Sequence, residues 1–273
     1  MSKKDLETAI SWAASEGWNP GLYDLEAFYC ADPEGFFVGY LDDEPISSIS
    51  AVSYGGQFGF IGLYIVKPEY RGKGYGIQIW YEAVKYLTNH NIGLDGVVAQ
   101  QEDYKKSGFK LAYRNIRYEG KGKKITAKFP GLKLLKDIPF KKVLEYDQKI
   151  FPMPRSEFLN PWFTQPESLS LGVVRNKKLV GFGMVRKCQE GYKVGPLFAD
   201  NEKIADALLR NFLNFIGPDE KIYLDVPDIN KNAVKLAKQY SMKPMFETAR
   251  MYTEKSPKVD LHKVFGVTSF ELG

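Results

Sequence analysis

At 273 residues, with 44% apolar and 14% aromatic side chains, the chain is long enough for two domains and too apolar to be disordered. A net charge of +5, spread over both signs, suits a small anionic ligand and is too mild to imply nucleic acid. Cys30 and Cys188 are far apart, as are His90 and His262, so neither a disulfide framework nor a metal site is expected. Helical spacing of Leu6, Ile10, Ala13 and Ala14 predicts a helix over 5–15, broken at Gly17-Trp18-Asn19-Pro20-Gly21. A short helix follows over 23–31, then strands over 36–41 and 45–54 joined at Asp42-Asp43-Glu44. Residues 58–66 read as a strand and 75–89 as a helix. A strand over 94–99, a short helix over 102–107 and a strand over 109–118 complete the first half. The stretch 120–128 is rich in Lys and Gly, and Lys121, Lys123, Lys124 and Lys128 read as a solvated linker before they read as a nucleic-acid patch. Beyond it come a helix (140–151), three strands (169–175, 179–187, 192–198), a helix (202–215), a strand (222–226), a helix (229–240) and a strand (245–253).

The segment Leu63-Tyr64-Ile65-Val66-Lys67-Pro68-Glu69-Tyr70-Arg71-Gly72-Lys73-Gly74-Tyr75-Gly76 carries the chemistry. A β-branched run ends at Pro68, a basic, glycine-dense turn follows, and an amphipathic helix with Ile77, Trp80, Tyr81, Val84 and Leu87 on one face opens from it. Such a turn lets successive backbone N–H groups converge on phosphate oxygens at a helix N-terminus, with Arg71 and Lys73 adding formal charge. The Walker pattern is absent, and the dinucleotide fingerprint fails because Gly76 comes one residue early. The pattern Arg/Gln-x-x-Gly-x-Gly/Ala is met by Arg71, Gly74 and Gly76.

In that pattern, and in the order of its elements, the chain resembles the GNAT N-acetyltransferases. The second half, with Gly195-Pro196-Leu197-Phe198-Ala199-Asp200, Asp225-Val226-Pro227 and the ending Val267-Thr268-Ser269-Phe270-Glu271-Leu272-Gly273, resembles a YitH-type C-terminal GNAT domain. The resemblance implies an α/β (α+β) fold of two tandem GNAT-like domains, 1–125 and 126–273. Each would be a mixed, mostly antiparallel twisted sheet flanked by helices. It implies acetyl-CoA as co-substrate and no metal. The cofactor-binding residues would be Ile65, Val66, Arg71, Gly72, Lys73, Gly74, Tyr75 and Gly76, with the backbone amides of Ile65 and Val66 serving the acyl carbonyl and pantetheine.

The two copies are not equivalent. Where the first has its glycine loop, the second has Asp200-Asn201-Glu202-Lys203-Ile204-Ala205, whose carboxylates would repel a pyrophosphate. GNAT enzymes commonly place a tyrosine five residues before the Phe of a Gly-Phe pair; here Tyr104 precedes Gly108-Phe109, and Ala237 occupies the matching place in the second copy. Tyr104 is therefore the expected proton donor to the leaving thiolate, the plainer alternative being a tyrosine that only packs. An alkylamine is mostly protonated at neutral pH, and freeing it costs roughly 4 kcal/mol or more, so a base is needed. The strand 58–66 has no carboxylate; Asp24, Glu102 and Asp103 are the candidates. The acceptor wall is expected from Trp18, Asn19, Tyr23 and Asp24, although Trp18 could equally plug the core beneath its turn. Asn160-Pro161-Trp162-Phe163 is expected to close the pocket from the second domain.

The leading expectation is an acetyl-CoA-dependent N-acetyltransferase acting on a primary amine of a small molecule. The alternatives are a non-catalytic acyl-CoA-binding sensor, favoured by the missing strand carboxylate, and a protein acetyltransferase with the second domain as docking module. No apolar signal core opens the chain and no run approaches the ~20 residues of a membrane helix. A cytoplasmic monomer or homodimer is expected, with neither nucleic acid nor membrane as partner.

Overall fold

The computed structural model describes residues 1–125 and 128–273. The first half runs α1 (Lys3–Ser15), α2 (Asp24–Ala31), β1 (Phe36–Leu41), β2 (Glu44–Tyr54), β3 (Phe58–Val66), α3 (Tyr75–Tyr86), β4 (Asn91–Val97), α4 (Gln101–Lys106) and β5 (Lys110–Lys121). The second runs β6 (Leu132–Leu134), α5 (Phe140–Asp147), α6 (Ser156–Trp162), β7 (Ser168–Arg175), β8 (Lys178–Lys187), β9 (Tyr192–Ala199), α7 (Glu202–Ile216), β10 (Lys221–Pro227), α8 (Lys231–Gln239), β11 (Lys243–Tyr252) and β12 (Val264–Gly266). Each helix and strand expected from the pattern is present, β1 and β3 at the expected bounds and the others with an end shifted. The additions are β6 and β12, three-residue pieces too short to show a period, and α6, whose internal Pro161 hides it.

The strands form one mixed, mostly antiparallel 12-stranded sheet, ordered β1-β2-β3-β4-β11-β5-β10-β9-β8-β7-β6, with β12 on β9. Among the described residues only β3–β4 and β9–β10 pair in parallel. The last strand of each half is enclosed by the other half: β11 lies between β4 and β5, and β5 between β11 and β10. The halves thus share a sheet where two separate sheets were expected. The anticipated boundary between 125 and 126 abuts residues outside those described. The Lys-rich segment before it is not a solvated linker, because β5 runs on to Lys121 and the chain then packs on the end of α7. Gly122 is so close that a Cβ there would lie 1.7 Å from the Gly217 carbonyl oxygen, and the Lys123 N–H donates to the Leu213 carbonyl at 3.0 Å.

Two buried ion pairs occupy equivalent points of this exchange. Asp95 on β4 sits opposite Arg250 on β11, and Asp225 on β10 sits opposite Arg117 on β5. Arg250 reaches Asp95 at 2.9 and 2.5 Å, and Arg117 reaches Asp225 at 2.7 and 2.8 Å. A third pair joins β8 to α2, Arg186 donating to Asp24 at 2.8 and 3.1 Å. All six side chains are under a tenth exposed. These bidentate pairs fix which strands meet, since an unpaired charge in the same place is strongly unfavourable.

On β2 and β3 the core alternates faces. Val52, Tyr54, Phe58 and Phe60 pack beneath α1, α2 and α6, while Ile49, Ala51 and Ile61 pack beneath α3. The alternation slips after Ile61: Leu63 and Ile65 return to the α1 face and Tyr64 turns toward Trp80. The cause is a bulge, seen as a register shift between Ser48 and Ser50 opposite it and a φ of 46° at Leu63.

Burial alone would raise the Asp225 carboxyl, but the charge and hydrogen bonds of Arg117, aided by Lys193 and Arg186, hold it below the usual carboxylate range. Its contribution to stability is therefore complete above about pH 4, the ordinary carboxylate value, and is lost as pH falls through the depressed folded value. Asp225→Ala, which strands Arg117, is expected to cost about 3–5 kcal/mol in urea unfolding. The double variant Arg117→Met/Asp225→Leu should recover most of that loss.

Candidate active site

The bulge on β3 opens the sheet. Parallel pairing of β3 with β4 runs from Phe58 opposite Asn91 to Ile61 opposite Leu94 and stops there. Beyond it the strands diverge around a cleft of about 750 Å³, a volume suited to a small-molecule site. Its walls are Ile61 to Val66 of β3, Leu94 to Val97 of β4, the start of α3, α4, and residues from the second half.

One end is the glycine loop. Gly72 and Gly74 have φ of 73° and 84°, and Gly74 caps α3 with no side chain, so no side chain occupies the first-turn N–H groups. A Cβ on Gly76 would lie 2.7 Å from the Tyr64 hydroxyl, which explains the third glycine. Ile65, Val66, Arg71, Gly72, Gly74 and Gly76 all line the cleft. Lys73 and Tyr75 do not: Lys73 lies over the Tyr70 ring at 5.6 Å. The Arg71 guanidinium is already engaged, donating to the Val66 carbonyl and ion-paired with Glu16 at the end of α1. It clamps α1 to the loop, which leaves the backbone N–H groups at the start of α3 as the part of the loop suited to an anion.

Tyr104 lies between the two ends. Its ring packs on Trp80 at 5.7 Å and against Gly96 of β4, where a Cβ would come within 2.2 Å of it. Burial, with the neighbouring Tyr64 and Asp103, pushes its phenol well above the ordinary value, so it stays protonated and able to donate. Among the described residues its hydroxyl has no hydrogen-bond partner.

The other end differs from expectation. Trp18 does line the cleft, and its carbonyl accepts from Arg117 at 2.8 Å. Asn19, Tyr23 and Asp24 are elsewhere, because their loop is occupied in docking to the second half. Asn19 exchanges hydrogen bonds with the Glu190 backbone at 2.9 Å each, Tyr23 donates to Glu167 at 2.7 Å, and Asp24 is buried on Arg186. Nor does the 160–163 segment close the pocket. Trp162 is fully buried, donating to the Gly195 carbonyl at 3.0 Å with the Arg186 guanidinium 4.2 Å above its ring. The wall is instead Arg117, Phe246, Thr248, Phe270 and Glu271, with Asp95 behind. Sequence reasoning missed these because β11 and the 267–273 segment enter through the strand exchange, which leaves no local signal. The remaining base candidates, Glu102 and Asp103, pair with Lys105 and Lys106 along the surface of α4.

The second copy shows no counterpart of the loop. Asn201 caps α7 with its own side chain, and Asp200 accepts from Tyr146 at 2.9 Å and pairs with Lys263 at 3.3 Å.

An acetyltransferase (GNAT) family model matches residues 4–109, and an acetyltransferase (GNAT) domain model matches residues 143–266. A holothin acyltransferase of Pseudoalteromonas sp. (strain SANK 73390) is 32% identical over 272 residues, covering 100% of this chain and 92% of that protein. A solved structure of a putative acetyltransferase from Pyrococcus horikoshii has a TM-score of 0.80 at 25% identity, covering 92% of this chain and 84% of that one. A tandem GNAT protein from the clavulanic acid biosynthesis pathway shares the fold, with a TM-score of 0.61 at 12% identity over 94% of this chain and 98% of that one.

Gly72 has open space where a Cβ would be, and its φ is one that Asp and Asn tolerate. Gly72→Asp compared with Gly72→Asn, which carries the same backbone strain, therefore tests charge. It is expected to weaken coenzyme A binding in calorimetry at least ~10-fold, about 1.4 kcal/mol, while Gly72→Asn stays within about threefold of wild type.

Proposed function

The chain belongs to the GNAT acetyltransferase family, and on that premise we propose that it transfers an acetyl group from acetyl-CoA to a primary amine of a small molecule by direct attack. The observation that carries this reading is one cleft lined by an uncapped helix N-terminus at one end, the part of β3 that has left β4 in the middle, and a buried, protonated Tyr104. The residues fit the co-substrate: the backbone of Gly72 to Gly76 would hold the pyrophosphate, and the edge of β3 that has left β4 near Ile65 and Val66 would align the pantetheine arm and acyl carbonyl. Acetyl-CoA, when bound, supplies a thioester carbonyl as electrophile. Tyr104 gives its proton to the departing sulfur, and its raised pKa keeps that proton available at neutral pH.

The acceptor end supports a small substrate. It is walled by Trp18, Phe246 and Phe270, and Phe270 and Glu271 are almost fully buried. The sensor alternative rested on the lack of a carboxylate on β3; carboxylates from other elements line the cleft, so that ground is gone. The relative's name supports acyl transfer as the reaction and leaves the acyl group open.

Thiol release from acetyl-CoA, scanned over amines, amino acids and polyamines, tests the reading. An acceptor-dependent rate that falls about 100-fold or more in Tyr104→Phe, with coenzyme A affinity unchanged, is expected. Silence across the panel in protein that still binds acetyl-CoA would overturn it.

A further inference from the structure

Four carboxylates line the cleft: Glu16, Asp95, Asp103 and Glu271. Three are engaged. Glu16 pairs with Arg71, Asp103 with Lys106, and Asp95 with Arg250 while also accepting from Asn115 at 2.8 Å. Glu271 differs. It is 4% exposed, yet among the described residues its carboxylate makes no hydrogen bond and no ion pair. Arg117, Arg186 and Lys193 attract it without a direct contact, and a cleft-lining carboxylate with no donor of its own is free to take a proton from a substrate.

Its position is firmly set. Residues 267–273 are threaded under the sheet, with Val267 donating to the Asp225 carbonyl at 2.9 Å. Arg155 donates to Thr268 at 3.0 Å and to the Gly273 carbonyl at 2.9 Å, and Tyr54 donates to the Leu272 carbonyl at 3.0 Å. The Glu271 backbone lies against β3 where pairing with β4 ends; a Cβ on Gly62 would fall 2.1 Å from its carbonyl oxygen. Gly62 lies on the same strand three residues before Ile65, where the acyl carbonyl is assigned above. The charged groups around Glu271 come from several elements and are committed elsewhere. Arg117 of β5 holds Asp225 of β10, Arg186 of β8 holds Asp24 of α2, and Lys193 of β9 donates to the carbonyls of Trp18 and Asn19 at 3.4 and 2.7 Å. Buried Cys188 lies among them.

We propose that Glu271 is the general base of the acyl transfer, taking the proton from the attacking amine directly or through one water. This inference rests on the acyltransferase reading. One N–H proton passes to Glu271 as the C–N bond forms and the C–S bond breaks, and Tyr104 gives its proton to the sulfur. Glu271 then returns its proton to Tyr104 through solvent; the ammonium ion that predominates at neutral pH first gives one proton to solvent by way of Glu271, so an ammonium ion and a thioester become an amide, a thiol and a released proton. The second half, which lacks a loop of its own, thereby supplies a catalytic group to the first.

The test compares wild type, Glu271→Gln and Glu271→Asp in the thiol-release assay with the best amine of the panel, alongside coenzyme A affinity and melting temperature. Expected for Glu271→Gln is a kcat at least about 100-fold down, with coenzyme A affinity unchanged. Its residual rate should climb with pH through the amine's own pKa, and Glu271→Asp should recover part of the loss. Turnover within threefold of wild type in Glu271→Gln would overturn the base assignment and leave acyl transfer standing. Loss of melting transition and coenzyme A binding in both variants would also overturn it, assigning Glu271 to packing. A wild type that binds acetyl-CoA and releases no thiol would overturn both.

Discussion

The architecture depends on two buried arginine–carboxylate pairs at the centre of one sheet. Asp95–Arg250 and Asp225–Arg117 face each other across β4–β11 and β10–β5, so each half is closed by the other's last strand. Apolar β-strands pair promiscuously, and a slip of one residue reverses every side chain. A bidentate pair at a fixed register position excludes that slip, because any other alignment buries an arginine without its carboxylate. The same interaction at the same point of both copies is what a duplicated fold would carry if the exchange formed before the copies diverged.

From that constraint the cleft follows. With β11 fixed against β4, β4 keeps its hydrogen-bonded neighbour on one side even where β3 leaves it on the other. The bulge at Leu63 can then release β3 from β4 without unravelling the sheet, and β2 still holds Ile65 and Val66. Diverging strands expose backbone donors that a buried loop would otherwise have to satisfy, and such donors serve a developing oxyanion. Packing of Trp80, Tyr64 and Tyr104 around Gly96 places a protonated phenol in the resulting gap.

What the sequence revealed and what it hid divide along the same line. The glycine loop was legible because its requirements are local: Gly72 and Gly74 at positive φ, Gly76 under Tyr64, and a helix starting at once. The spacing of Tyr104 to Gly108-Phe109 pointed to a residue that does line the cleft, and most strands were legible through their alternation. Asp24 looked like a substrate carboxylate because it follows an aromatic turn. Its partner Arg186 lies 162 residues away, and no pattern near Asp24 announces an ion pair of that span. Trp162 misled for a similar reason: an aromatic beside a proline suggests a rim, whereas Arg186 stacked on its ring and a buried carbonyl for its indole N–H make it core.

The second copy illustrates how a domain can lose its own chemistry and keep a place in its neighbour's. Asn201 has filled the anion-binding end of α7, and Asp200 is bound to Tyr146 and Lys263, so nothing there is left for a phosphate. Its structural output has moved to the first half's cleft, where β11 contributes Phe246 and Thr248 and the 267–273 segment contributes Phe270 and Glu271. Arg117 is held over the Phe270 ring at 4.9 Å by the same Asp225 that fixes the strand exchange. Register and acceptor wall are thus coupled: a change that loosened the central pairs would disorganise the acceptor end before it reached the glycine loop, which is built from first-half residues alone.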